Sequence, residues 1–155
     1  MNQRFAQIVS TLEPKLQELL ATAPINPLRL PRNFPAAGVY LFTENGQHLY
    51  VGRSSDLRFR IQTHTRPSAG TNQAAFAYRL ARQVAGIVKV AYKKLAPEED
   101  WSLREPFLSA FPASKQRIRA MELRAIPEPD PLAQMLLEVY VAAALGTPHN
   151  DFDNH

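Results

Sequence analysis

Residues 38–43 and 47–52 are two short runs of strand-forming side chains on either side of Glu44-Asn45-Gly46, and no other stretch constrains the chain as much. Aromatic and β-branched residues suit a pleated, half-buried surface, and Asn-Gly between two such runs marks a hairpin. The length of the turn decides the register, and register decides which face each side chain takes. A two-residue Asn45-Gly46 loop pairs Tyr40 with Val51 and sends Tyr40 and Tyr50 to opposite faces. A three-residue loop, with Gly46 as a left-handed bulge, pairs Tyr40 with Tyr50 instead. It gathers Phe42 and His48 beside the tyrosines and leaves Val39, Leu41, Leu49 and Val51 for the core. That cleaner sorting predicts the three-residue loop.

Around the hairpin the pattern is mostly helical. Apolar residues recur at helical spacing between Phe5 and Leu20, which predicts an amphipathic helix over Gln3–Ala21. Pro24, Pro27, Pro31 and Pro35 make 24–35 an extended connector. After the hairpin, Ser54 or Ser55 is placed to cap a helix reaching about residue 64, with Leu57 and Ile61 on its buried side. Further helices are predicted over 73–84 and 98–110, with 88–92 a short strand or an irregular segment. Alternation of Ile118, Ala120, Leu123 and Ile126 with charged neighbours predicts a third strand over 117–126. A last helix over 130–145 ends at Gly146.

A chain of 155 residues buries enough surface to fold without a metal or disulfide staple. It has no cysteine, which excludes disulfides, thiolate metal sites and cysteine nucleophiles. Eighteen Lys and Arg against 14 Asp and Glu leave +4, a mild bias compatible with a polyanionic partner. The longest apolar run, 132–145, is broken by Gln134 and Glu138 and is too short to span a bilayer. The N-terminal residues lack a signal-peptide core, so a soluble cytoplasmic protein with no membrane partner is expected. One structural domain is expected overall, with 1–35 as helix and connector and 36–155 as the body.

Two features carry chemistry. Between Pro131 and Asn150 the one formally charged residue is Glu138, flanked by Leu136, Leu137, Val139 and Tyr140. A carboxylate on so apolar a helix needs a cation. Either an arginine of the neighbouring strand, such as Arg119 or Arg124, supplies it, or a hard metal such as Mg²⁺ does. The second feature is Arg53, Asp56, Arg60 and His64, which fall on one stripe of a helix and its approach. Guanidinium groups there suit a phosphate, and the alternative is a solvated face.

Gly38-Val39-Tyr40 followed by Tyr50-Val51-Gly52 resembles the paired signature of the GIY-YIG nuclease family, with valine for isoleucine in both halves. In that family a basic residue, an arginine and a His or Tyr follow the second tyrosine at three, ten and fourteen positions. Here those positions hold Arg53, Arg60 and His64, arginine standing where lysine is usual. The family's glutamate in an apolar helix, with an asparagine twelve residues on, corresponds to Glu138 and Asn150.

The resemblance implies an α/β (α+β) fold: a small three-stranded antiparallel sheet flanked by helices. This chain would add an N-terminal helix and a helical insertion before the third strand. It also implies a DNA endonuclease, on duplex or branched substrate, using Mg²⁺ (or Mn²⁺) held by Glu138. Tyr40 would activate the water, with its pKa lowered by Arg53, and Arg60 would stabilise the developing charge. Tyr50 and His64 would orient the reactants, and Asn150 would brace the end of the Glu138 helix. Arg66, Arg79 and Arg82 in the insertion read as nucleic-acid contacts. A catalytically silent nucleic-acid-binding module of the same fold is the alternative.

Overall fold

The computed structural model describes residues 1–87 and 94–152. Helix α1 (Gln3–Ala21) precedes strands β1 (Gly38–Glu44) and β2 (Gln47–Ser54). Helices α2 (Leu57–Thr65), α3 (Ala75–Ala85) and α4 (Phe107–Arg119) follow, then β3 (Glu122–Pro127) and α5 (Pro131–Leu145). The strands form one antiparallel sheet in the order β2-β1-β3. The chain divides into two compact units, Met1–Gln62 with Met121–His155, and Thr63–Ala120.

In the first unit, α1 starts at Asn2, whose side chain accepts the Phe5 N–H at 3.1 Å. Leu12, Leu16 and Leu19 of α1 and Leu137 and Val141 of α5 bury against Val39, Leu41, Val51 and Ile126 of the sheet. Lys15 pairs with the buried Glu128, and Tyr140 donates to Glu13 at 2.5 Å, which ties α1 to the α5 region at two points. The proline-rich connector is stitched to the outer edge of β3. Ile25 donates to the Leu123 carbonyl at 2.8 Å and accepts from its N–H at 2.9 Å.

The turn differs from the expected one. Glu44 pairs with Gln47 and Thr43 with His48, so the loop is the two residues Asn45 and Gly46, with φ of 50° and 78°. Positive φ at both positions is the turn whose twist matches the flanking strands. The extra residue lies in β2 instead. Phe42 pairs with Tyr50, so Leu49 has no partner opposite and forms a β-bulge that shifts everything beyond it by one. Tyr40 therefore faces Gly52, not Tyr50, and Leu41 faces Val51. The two tyrosines still share a face, with ring centroids 6.3 Å apart, and Phe42 stands edge-on to Tyr40 at 5.8 Å. His48 leaves that group: its Nδ1 lies 2.8 Å from the Thr43 hydroxyl.

Three boundaries also move. Asp56, not Ser54 or Ser55, caps α2 by accepting the Phe59 N–H at 3.1 Å, while Ser54 accepts the Asp56 N–H at 2.9 Å. The helix expected over 98–110 is a 3₁₀ turn, Trp101–Leu103, followed by α4, because Pro106 has no N–H with which to continue one. The strand expected over 117–126 begins at Glu122, because residues 117–119 are the last turn of α4. The segment 88–92 lies outside the described residues. Within the second unit, Ala81, Phe107 and Ala110 form a small core, with the Trp101 ring edge-on to Phe107 at 5.0 Å. Among the described residues no helix is long and apolar enough to cross a membrane.

Candidate active site

Both motif glycines are places where another chain segment comes too close for a side chain. A Cβ on Gly52 would overlap the ring and hydroxyl of Tyr40, and one on Gly38 would overlap the Ile126 carbonyl. Because β2 carries glycine opposite Tyr40, the phenol lies across the strand. Gly52→Ala should therefore displace the phenol, lose about 1–3 kcal/mol of stability by overpacking, and abolish any activity that uses Tyr40. Denaturant titration and an activity assay on the same sample check this.

The Tyr40 side chain is 0% exposed, and its hydroxyl accepts a hydrogen bond from Arg60 Nε at 3.3 Å. Burial pushes the phenol well above the usual tyrosine range, and Tyr50 adds to that; the charge and hydrogen bond of Arg60 oppose it and lose. This corrects the expectation of a phenol lowered by a neighbouring cation. Arg60 is itself pushed down by burial, but the two phenols push it up by more.

Arg53 is not the cation at the phenol. It pairs with Val39 across the β1–β2 ladder, so alternation turns it to the face that α5 covers. There its Nε donates to Glu138 Oε2 at 3.1 Å. Burial raises the Glu138 carboxyl, while the charge and hydrogen bond of Arg53, and then Arg60, pull it back part of the way. The partners first considered for Glu138 are engaged elsewhere. Arg119 donates to the Thr65 carbonyl at 2.8 Å, and Arg124 to the Thr22 carbonyl at 3.1 Å. A cation does meet Glu138, from the strand that sequence spacing did not single out.

Asn150 binds the sheet. Its Oδ1 accepts the Val51 N–H at 2.9 Å and its Nδ2 donates to the Val51 carbonyl at 2.7 Å. Thr147 donates to the same Oδ1 at 2.7 Å, and the His149 N–H reaches the carbonyl of the bulged Leu49 at 3.2 Å. The amide thus occupies the free edge of β2 between Tyr50 and Gly52, as a neighbouring strand would. Asn150→Ala should cost about 2 kcal/mol, since it strands the Val51 groups, and should loosen the tyrosine pair. Chemical denaturation and hydrogen exchange at Val51 test it.

Within the first unit Tyr40, Tyr50 and Arg60 thus meet on one face of the sheet, and Arg53 pairs with Glu138 on the side that α5 covers. His64 belongs to the second, where it is fully buried and stands edge-on to Phe76 at 6.4 Å. Arg66, Arg79 and Arg82 are also in the second unit, with Arg82 lying over the Tyr78 ring at 5.6 Å. Spacing alone did not reveal the Leu49 bulge, the Asp56 cap or the Arg53–Glu138 pair.

A lone carboxylate suits a hard divalent cation. Among the described residues no three His, Cys, Asp or Glu side chains cluster. Glu138 keeps Oε1 clear of the Arg53 contact. A single half-buried carboxylate suits Mg²⁺, which keeps most of its waters and takes its other ligands from phosphate oxygens.

Residues 36–105 match the family model of the GIY-YIG catalytic domain. No curated protein and no solved structure matches the chain. The matched stretch contains both tyrosines, Arg53, Arg60 and His64, while Glu138 and Asn150 lie beyond it. The match falls on the strand pair that holds the two phenols on one face, and it identifies residues 36–105 with the GIY-YIG catalytic domain.

Proposed function

We propose that this chain is a metal-dependent endonuclease that hydrolyses phosphodiester bonds in DNA. The observation that carries the reading is the Tyr40 phenol held against Arg60, with Glu138 near enough to act electrostatically on both. Glu138 would hold Mg²⁺ (or Mn²⁺), which when bound supplies a charge sink for the leaving oxygen. Arg60 presents its guanidinium where negative charge builds on the phosphate oxygens. Tyr40 accepts the proton of the attacking water in the small fraction of molecules in which it is ionised, and Arg60 steadies the phenolate. Tyr50, on the same face, orients the water or the phosphate. Arg53 holds Glu138 in place.

The raised phenol pKa gives the reading a pH signature. Below that pKa the ionised fraction climbs about tenfold per unit, so single-turnover cleavage should rise with pH across the neutral range. Purified protein is incubated with duplex, branched and single-stranded DNA, in Mg²⁺ or in EDTA, at several pH values. Cleavage is expected only with Mg²⁺, and Tyr40→Phe should remove both the rate and its slope. DNA that is bound but never cut would favour the silent binding module. A Tyr40→Phe variant with unchanged rate and slope would take the base away from Tyr40.

A further inference from the structure

The positive charge of the chain is concentrated in one of its two units. Thr63–Ala120 carries ten Lys and Arg against four Asp and Glu, while the rest has eight against ten. Within this basic unit, Lys115 and Arg119 stand one turn apart on the same face of α4. Lys115 is 3% exposed and donates to the carbonyls of Arg66 at 3.1 Å, Pro67 at 3.0 Å and Ala69. Arg119 donates its Nε–H to the Thr65 carbonyl, which leaves the planar end of the guanidinium clear of that bond. Among the described residues neither side chain has an ion pair.

A buried ammonium held by carbonyls and by the Phe111 ring 4.5 Å away has dipoles and a π face for partners and no counter-charge. Burial, then the charges of Arg119 and Arg66, push Lys115 below the usual lysine range, and no carboxylate counters them. Beside these cations opens a cleft of about 370 Å³ lined by Pro67, Pro112, Ala113, Lys115, Gln116 and Arg119. Its cationic end suits an anion, and its proline and alanine walls suit the apolar flank of a sugar.

We propose that this cleft is a phosphate-binding site for the DNA backbone, with Arg119 as the ligand and Lys115 as the charge behind it. The identity of the polyanion rests on the nuclease reading; the anion chemistry of the cleft does not. Arg119 offers a bidentate fork to two phosphate oxygens. Lys115 keeps loop 65–69 wrapped around α4 and adds to the local potential. The contact carries no base information, so it acts alike on every sequence.

The test is binding of a labelled duplex in EDTA, followed by anisotropy at several salt concentrations. Arg119→Gln should weaken binding by about 3–10-fold and reduce the salt slope by about one. Gln116 lines the cleft without a part in the Arg119–Thr65 bond, so its variants separate binding from folding. Gln116→Glu should weaken binding and Gln116→Lys should tighten it, each by several-fold. Gln7→Glu, the same charge change on α1, is the control for net charge and should alter affinity less than twofold. If Arg119→Gln and Gln116→Glu match that control, the site is overturned. Cleavage of the same duplex by the parent protein in Mg²⁺ reads the nuclease proposal separately. Variant-sensitive binding without cleavage supports the cleft and fails the nuclease; binding and cleavage that ignore the cleft variants fail the cleft alone. A parent protein that binds no DNA overturns both.

Discussion

Glu138→Ala is expected to lower single-turnover cleavage by about 10³-fold or more while changing stability by no more than about 1 kcal/mol. Loss of the proposed metal ligand forfeits several kcal/mol of transition-state stabilisation, and each 1.4 kcal/mol is about tenfold in rate. The small stability change follows from where the pair sits. Breaking a buried ion pair costs about 3–5 kcal/mol because the surviving charge stays buried. Here the Arg53 side chain is 40% exposed and Glu138 21%, so Arg53 turns to water when its partner goes. The carboxylate also has a raised pKa, because burial outweighs Arg53 and Arg60. A carboxyl raised on folding stabilises the native state below its unfolded pKa, and that stabilisation is lost as pH rises through the folded value. At neutral pH the ionised Glu138 is therefore a burden that alanine removes, and acidification should shift the comparison toward the parent protein. Denaturant titration at neutral and acidic pH, beside cleavage in Mg²⁺, reads all three expectations. A large loss of stability with cleavage retained would make Glu138 a structural residue and end the metal assignment.

The elements near the hairpin were legible because each carries its own local signal. Helix α1 has its apolar stripe, α5 has Pro131 at its start and Gly146 past its end, and the hairpin has Asn-Gly between two strand-forming runs. What sequence could not supply was the fine register. Sorting aliphatic from aromatic residues needs one extra residue, and sorting alone is satisfied by a three-residue turn or by a bulge. The ladder takes the bulge, because Asn45-Gly46 already fits the tight turn and Leu49 absorbs the shift. The α4–β3 boundary fails for a related reason. Ile118 is inward on the helix and Leu123 inward on the strand, so a stretch spanning both reads as a short alternation. The Arg53–Glu138 pair depends on α5 lying over β2, a long-range packing fact with no local trace. Residues that act within one element were readable, and residues that act across elements were placed by topology.

Arg60→Lys should be nearly as damaging to turnover as Arg60→Ala, each lowering the single-turnover rate by about 10²–10³-fold, with DNA affinity changed only modestly. The reason lies in the geometry of the guanidinium. Arg60 donates from Nε to the Tyr40 hydroxyl and also hydrogen-bonds Tyr50, so its planar fork is oriented by both phenols. Lysine keeps the charge but is a point donor on a flexible stem, without the rigid planar fork that holds the phenols and matches two phosphate oxygens. Losing one well-placed donor to developing charge costs a rate factor of about that size. If Arg60 only attracts the DNA backbone, the outcome inverts: lysine restores activity, and alanine weakens binding and lowers the salt slope by about one. The shared hydrogen bond adds a sharper test. Where Arg60 steadies ionised Tyr40, the two residues act as one device, so Tyr40→Phe with Arg60→Lys should lose little more rate than the worse single variant. Independent roles would make the losses multiply. A double-mutant cycle on single-turnover rates at saturating DNA separates the cases, and multiplicative losses would place Arg60 at the phosphate without Tyr40.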